Sequence, residues 1–413
     1  MNRVSTNMSR LDAQYHTMMR ELKLNDMENK MGTQSRLKDL RDDPFAASHA
    51  VRYQSKLLRL ERYGRNIEDV KANLSIAEVK VRDAVELVQR ARELAVQGAN
   101  GVYTKDDLKA MATEVDQLLE EIVSLANSQN GQGNMLFAGF ESKQEPFRIL
   151  RGRLEGEAGK ITEVQYRGDI GRNLVEVSEE ALSEMNIPGN YVFWAENQSV
   201  YASLDATNYK VQSDAVIRID GVDIHLKEGD NIYAIIARIN DAPVAVKASL
   251  DPVTSGLVLT TTTPHQLWLE DGKGGSVFQD LGVLRQGGGN PPHNYAPSAT
   301  VFGGSVFDVM LALRDSLAKG DQAGVNRALG GMDQALTGLT SHLAEIGAVA
   351  ARLDGIAKRQ AYELTELTDT MAKEVDLDLT KAITDLKMLE YVHQAALNTA
   401  ARILRPSLLD FLR

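Results

Sequence analysis

The sequence predicts an α+β protein: an elongated rod of paired amino- and carboxyl-terminal helices, formed as a coiled coil or helical bundle, with an inserted β-rich domain. Three observations predict this fold. Apolar heptads occur towards both ends of the chain, and the middle has strand-like patterning. Heptad stripes are buried when two helices pack on each other, and 413 residues leave room for the chain to return along itself. These features favour assembly over catalysis.

The clearest apolar repeat lies in the amino-terminal half and alternates spacings of three and four residues. Its members are Ile67, Val70, Leu74, Ala77, Val81, Ala84, Val88, Ala91 and Ala95. A second run towards the other end has similar spacing: Leu336, Leu339, Leu343, Ile346, Ala350 and Leu353, then Leu364, Leu367 and Met371 after a polar gap. We expect the two runs to pack against each other as antiparallel helices.

Helices are also expected at the start of the chain. A first helix begins near Ser5 or Thr6 and carries an apolar stripe, whose members are Met8, Leu11, Tyr15, Met18 and Leu22. Polar residues from Gly32 to Asp43 break the pattern. Proline suits a first helical turn, so a long helix should begin at Pro44 with Asp43 as its cap and run to about Gln97.

The pattern changes after a second helical stretch. Thr104 and Asp107 have capping-box spacing and begin the next helix. The segment from Met135 to Phe147 reads as a short β-hairpin. Strands then predominate from about Arg148 to Thr300, with one helix from Asn231 to Asn240 and a turn at Asp220 to Asp223.

Helices are expected again from about Val301. They pause at Val375 to Leu379 and should stop at Pro406. The last helix carries the apolar residues Ile383, Leu386, Leu389, Val392, Ala396, Ala400 and Ile403. Because each end reads as two helices separated by a break, we expect the two breaks to lie side by side at a hinge or domain boundary.

This patterning predicts three domains. Residues 1–43 and 375–413 form a terminal coiled-coil domain, residues 44–147 and 301–374 a helical rod domain with the short β-hairpin, and residues 148–300 the inserted β-rich outer domain.

Composition and motifs exclude several chemistries. The chain has no cysteine, hence no disulfide, thiolate nucleophile or zinc thiolate site. Its seven histidines have no partners at metal spacing, and Gly272 to Ser276 lacks the phosphate-loop pattern. We therefore expect no enzymatic activity, cofactor or metal. No stretch approaches ~18 uninterrupted apolar residues, so we expect no membrane anchor, and the amino terminus lacks a Sec-type signal pattern.

The charge distribution is uneven. The formal net charge is −11, yet residues 1–65 have 13 Lys and Arg against 8 Asp and Glu. A basic end on an acidic body suits charge matching between subunits, and a solvated helix face is the alternative. No recognised binding motif accompanies the basic segment, so we expect no nucleic-acid binding.

Several segments of the chain resemble the flagellin superfamily, and within it the hook–filament junction family known as hook-associated protein 3. They are Asp42 to Ser48, Gln89 to Gly101, Leu136 to Gly139 with Pro146 and Phe147, and Ser407 to Leu412. Val216 to Gly282 is similar to the hook motif of flagellar axial proteins. Filament flagellins usually have alanine where Pro44 stands and lack the Leu-Asp-Phe-Leu ending.

The resemblance implies a secreted, structural motility protein of the bacterial flagellum, external or periplasmic, exported unfolded through the flagellar type III apparatus. It implies a homo-oligomeric ring between hook-associated protein 1 and flagellin, with the terminal helices lining an export channel. The subunit-interface residues are then Met8, Leu11, Tyr15, Met18, Leu22, Asp42, Asp43, Pro44, Ile383, Leu386, Leu389, Val392, Ile403 and Leu404.

The carboxyl terminus crowds apolar residues together, which suits either helix packing or a flagellar export chaperone. The residues assigned to chaperone binding and assembly are Leu408, Leu409, Phe411 and Leu412. Segments 1–40 and 380–413 have single apolar stripes and are expected to be disordered until polymerisation. Two alternatives remain: a filament flagellin, and a glycan-binding adhesin module built on the β-rich middle with Trp194 and Trp268.

Overall fold

The computed structural model describes residues 6–37, 41–154, 157–287 and 289–403. The helices are α1 (Thr6–Thr33), α2 (Pro44–Ala99), α3 (Lys105–Ala126), α4 (Gly189–Val192), α5 (Ile232–Asp241), α6 (Val277–Asp280), α7 (Val306–Lys319), α8 (Gln322–Val375) and α9 (Leu379–Ile403). The strands are β1 (Phe147–Leu154), β2 (Glu157–Tyr166), β3 (Leu174–Ser178), β4 (Ala181–Glu184), β5 (Ser199–Tyr201), β6 (Ala215–Ile219), β7 (Val222–Leu226), β8 (Val246–Leu250), β9 (Leu257–Thr261), β10 (Leu269–Asp271) and β11 (Thr300–Phe302). Long helices at both ends and antiparallel sheets between them confirm the predicted α+β class.

The chain divides into two compact units. The terminal unit consists of Met1–Gly64 and Ala357–Arg413, and the central unit of Arg65–Ile356. Helices α2 and α8 contribute residues to both units. The three-domain division predicted from the sequence stays a prediction.

The predicted heptad seam is buried in the central unit. Each of its nine members from Ile67 to Ala95 is at most 6% exposed. Leu339 of the second run packs in the same apolar cluster as the seam residues from Ala77 to Ala95. Two ion pairs join α2 to α8 within this unit, Lys71 with Asp354 and Arg92 with Asp333. The residue number of the α8 partner decreases as the residue number on α2 increases, which confirms antiparallel packing.

Helices α3 and α7 complete this helical core, and each begins at a capping box. Thr104 and Asp107 bond reciprocally at the start of α3, as predicted. Ser305 and Asp308 do the same for α7. The predicted helix start near Val301 is wrong, because Thr300–Phe302 forms β11 and pairs with β5.

The β-hairpin predicted from Met135 to Phe147 is also wrong. The described backbone there forms turns, and the first strand begins only at Phe147. The Asp169 carboxylate accepts hydrogen bonds from the N–H groups of Phe140 and Glu141, at 2.9 and 3.0 Å. A side chain distant in sequence therefore takes the donors that a partner strand would otherwise engage. The neighbouring hairpin is formed instead by β1 and β2.

The rest of the central unit is mainly antiparallel sheet. The strand orders are β10-β6-β7 and β11-β5-β9-β8, and two separate hairpins join β1 to β2 and β3 to β4. The predicted turn between β6 and β7 is confirmed, with positive φ at Asp220 and Gly221. The predicted helix is α5, capped by the Asn231 side chain. Alternate strand residues form a second apolar core beside the helical one.

Candidate subunit interface

Helices α1 and α9 pack side by side in the terminal unit. Ala13, His16 and Arg20 of α1 line a groove of about 500 Å³ with residues of α9 between Tyr391 and Ala400. The far end of α1 leads to Ser35, which pairs with Asp376 just before α9. The two helices are therefore antiparallel, and the predicted pairing of the chain ends is confirmed.

This packing leaves the apolar stripe of α1 in solvent. Leu11, Tyr15, Met18 and Leu22 are between 53% and 65% exposed. Ile383 and Val392 of α9 are exposed as well. Because burial of a large apolar side chain contributes roughly 1.5 to 3 kcal/mol, a row of exposed ones is typical of a surface covered by a partner.

The other predicted residues of these helices fall into three groups. Leu386 and Leu389 are half-buried on α9. Met8 lies in α1, and Ile403 is the last residue of α9. The remaining predicted residues lie outside the described part of the chain, namely Leu404, Leu408, Leu409, Phe411 and Leu412.

The two predicted breaks meet in one joint, as the sequence indicated. The Leu377 N–H donates to the Gln34 carbonyl at 3.0 Å, and the Arg36 N–H donates to the Val375 carbonyl at 2.8 Å. Together with the pairing of Ser35 and Asp376, these bonds hold the end of α1 beside the start of α9. The joint connects segments that are far apart in sequence and close in space.

Asp43 connects this joint to the start of α2. Its carboxylate accepts a hydrogen bond from the Ala46 N–H at 3.1 Å, which caps the helix that Pro44 begins. The Arg36 guanidinium lies 3.3 Å from the same carboxylate. The Ala46 bond, supported by Arg36, holds the pKa of Asp43 below its usual value. The neighbouring Asp42 lies 3.8 Å from the Lys30 ammonium.

Arg36 and His49 both contribute to the joint through Glu374, and neither was predicted from the sequence. The Arg36 guanidinium donates to the Glu374 carbonyl at 2.9 Å. His49 Nδ1 lies 3.1 Å from the Glu374 carboxylate. Neither residue belongs to an apolar repeat or a capping motif, so no periodic pattern marks it. Beyond the joint, Leu60 and Tyr63 of α2 pack against Leu367 of α8.

The two tryptophans of the adhesin alternative occupy different surroundings. Trp194 is buried. Trp268 is half-buried, donates its indole N–H to Glu270 at 3.0 Å, and lines an open polar cleft of about 960 Å³. Trp194 does not line that cleft. The structure therefore does not bring the two rings together in one site.

Across the described ranges, no group of three or more His, Asp or Glu side chains could hold a metal ion. No described helix combines the length and apolarity needed to cross a membrane.

Paired terminal helices with exposed apolar stripes are typical of proteins that assemble with further copies or partners. Two families match the sequence. The bacterial flagellin N-terminal helical region matches residues 4–142, and the flagellin hook IN motif matches residues 200–263. The chain is therefore similar to flagellins over these two stretches.

Individual proteins are also similar to this chain. The flagellar hook-associated protein 3 of Escherichia coli is 29% identical over 146 residues, which are 35% of this chain and 45% of that protein. The Salmonella typhimurium protein of the same name is 28% identical over 32% of this chain and 42% of its own length. The matches thus span less than half of these two relatives. Flagellin C of Vibrio cholerae is 24% identical over 97% of this chain and 96% of that protein.

Solved structures of similar proteins were also found. The flagellar hook-associated protein 3 of Legionella pneumophila has a TM-score of 0.48 at 18% identity, covering 78% of this chain and 97% of that one. The FlgL protein of Xanthomonas campestris has a TM-score of 0.46 at 17% identity, covering 78% and 99%.

Proposed function

We propose that this chain is a structural subunit of the bacterial flagellum at the junction between hook and filament. The observation that carries the proposal is the exposed apolar stripe of α1 beside α9, in a chain that two flagellin family models match in part. Neighbouring copies would cover these stripes and form a homo-oligomeric ring. The proposed role is assembly and requires no chemical reaction.

The proposed partners follow from the junction role. Hook-associated protein 1 would contact the ring on the hook side, and flagellin would contact it on the filament side. The names of the Escherichia coli and Salmonella relatives support the choice of junction over filament. A flagellar export chaperone would bind the carboxyl-terminal residues Leu408, Leu409, Phe411 and Leu412 before assembly, with the chain exported unfolded.

A filament flagellin is the second candidate, favoured by the match to Vibrio cholerae flagellin C along nearly the whole chain. Unaided growth of the purified chain into long filaments would support that candidate. A junction protein is not expected to form long filaments under the same conditions.

Deletion of the gene tests the junction role. Cells lacking the chain should keep their hooks and release flagellin into the medium, because nothing joins new filament to the hook. Electron microscopy of the cells and immunoblotting of the medium measure both effects. Normal filaments on cells without the chain would overturn the proposal, and restoration by a plasmid copy is the control.

A further inference from the structure

The open polar cleft beside Trp268 lies in the central unit and has no part in the proposed junction role. Its lining residues come from four separate segments of the chain, within 141–148, 165–169, 268–270 and 290–293. Its volume of about 960 Å³ lies in the range of pockets that hold organic ligands. Segments that are distant in sequence therefore converge on one concave surface.

Trp268 is fixed in this cleft by three kinds of contact. Its backbone N–H donates to the Asp220 carboxylate at 3.0 Å, and its indole N–H donates to Glu270 at 3.0 Å. The ring also packs against the helical core of the central unit and remains only half-buried. An indole held in this way presents a rigid, flat apolar surface beside polar groups, which is the kind of anchor that a ligand site uses.

The sides of the cleft are held by bonds between distant segments. The Asp169 carboxylate fixes the turn that contains Glu141, as described above. On the other side, a ring nitrogen of His293 donates to the Tyr166 carbonyl at 3.1 Å. The cleft is therefore largely formed before any ligand binds, which lowers the entropic cost of binding.

Four exposed charged side chains of the cleft form no ion pair among the residues that the structure describes. They are the carboxylates of Glu141 and Glu145 and the guanidinium groups of Arg148 and Arg167. Their charges cancel. Carboxylates only accept hydrogen bonds and guanidinium groups only donate them, so together they suit hydroxyl groups, which do both.

The remaining carboxylates of the cleft are already bonded. Asp169 accepts from backbone N–H groups, including that of Gly171 at 2.6 Å. Glu270 bonds the Trp268 indole and lies 3.3 Å from the Arg218 guanidinium. The groups that stay available to a ligand are thus balanced in charge, which favours a neutral ligand over an anion or a cation.

We propose that this cleft binds a neutral oligosaccharide. The apolar face of a sugar ring stacks on the indole of Trp268. The sugar hydroxyls donate to Glu141 and Glu145 and accept from Arg148 and Arg167. This binding activity goes beyond the junction role and does not depend on it.

Glycan binding by the purified full-length chain tests the site. A glycan array carries neutral oligosaccharides of glucose, mannose, galactose and N-acetylglucosamine, with sialylated and sulfated oligosaccharides for comparison. The strongest neutral ligand of the array is then titrated in solution. The chain has two tryptophans, so Trp194→Phe leaves Trp268 as the sole source of tryptophan fluorescence, and its emission should change on binding and saturate.

Two variants separate the ring from the polar groups. Trp268→Ala removes the stacking surface and should raise the dissociation constant about tenfold or more. Glu145→Gln with Arg148→Gln changes exposed side chains that the fold does not use, and should weaken binding while leaving the unfolding transition unchanged. The matched control replaces Glu180 and Arg285, an exposed pair outside the cleft, by Gln and should bind as wild type.

Isothermal titration calorimetry measures the affinity of each variant, and circular dichroism verifies its fold. Retention of no neutral oligosaccharide by the wild-type chain would overturn the proposal, as would a preference for the sialylated or sulfated ones. Binding that survives both cleft variants unchanged would also overturn it. Because the assay uses the isolated chain, its result is independent of the gene deletion that tests the junction role.

Discussion

Arg314 is a charged side chain in the core of the central unit, with only 4% of its surface exposed. Its guanidinium donates to Asp116 at 2.8 Å and to the Ile161 carbonyl at 2.7 Å, and it pairs with Asp315 at 2.7 Å. It thereby joins α7 to α3 and β2. Burial acts to raise the pKa of the Asp116 carboxyl, but bonds from Arg314 and Lys160 outweigh it and lower that pKa.

Replacing this guanidinium should strongly destabilise the central unit. Arg314→Met removes one of the two cations that bond the largely buried Asp116 carboxylate, with Lys160 remaining, and should cost about 2 to 3 kcal/mol. Arg327→Met is the matched control, because Arg327 is an 81% exposed arginine on the following helix and should change stability by less than about 0.5 kcal/mol. Urea unfolding followed by circular dichroism measures both, and equal effects would contradict the role of Arg314.

Asp43 should make the joint sensitive to acid. Its pKa is lowered in the folded chain, so ionised Asp43 stabilises the fold above the ordinary pKa of 3.8. That contribution is lost as the pH falls through the lower, folded pKa. Asp43→Asn keeps a helix cap and loses the charge that faces Arg36.

The Asn variant should therefore unfold at a lower temperature than wild type at pH 7, with the difference shrinking as the pH approaches 3 and below. Differential scanning calorimetry of both chains across this range provides the measurement. A difference that stays constant with pH would show that the charge of Asp43 does not stabilise the joint.

At the scale of elements, the starts of α2, α3 and α5 were predictable because their signals are local, whereas the equally local capping box of α7 at Ser305 was missed. Three helices begin at side chains that accept a hydrogen bond from the backbone N–H three residues later. These caps are Asp43, Thr104 and Asn231. The seam of α2 was predictable because its period persists over four heptads. Such signals need no knowledge of distant residues.

The hairpin error and the missed side chains of the joint occurred where distant residues decide the structure. Asp169 organises the turn at Phe140, 29 residues away, and replaces the predicted hairpin. Arg36 completes the joint by bonding Glu374, 338 residues away. The position of the two breaks was predictable from the mirrored order of helices, but the side chains that join them were not.

The exposed stripe of α1 should matter for assembly and not for folding of the free chain. A variant with Leu11→Ala, Tyr15→Ala and Met18→Ala removes side chains that are more than half exposed. Each change should alter the free energy of unfolding by less than about 0.5 kcal/mol. The purified variant should therefore unfold like wild type, while cells that carry it should lose attached filaments.

A core substitution gives the opposite pattern and serves as control. Leu119 of α3 is fully buried, so Leu119→Ala should cost about 2 to 5 kcal/mol in unfolding experiments. If the triple α1 variant were destabilised as strongly, or if its cells kept normal filaments, the stripe would not be an assembly surface.

At the scale of the whole molecule, the chain combines a well-packed centre with helical ends that expose apolar surface. The central unit buries two apolar cores. The terminal unit leaves side chains exposed along both α1 and α9. This division suits a subunit whose centre folds by itself and whose ends gain most of their burial from neighbours.

The location of the chain along the flagellum tests the junction role most directly. An epitope tag can be inserted after Val253, which lies 87% exposed in the turn between β8 and β9. The tagged chain must first restore motility to cells lacking the native copy. Gold-labelled antibody should then mark one short band at the boundary between hook and filament. Label along the whole filament would contradict the junction role and identify the chain as a filament subunit.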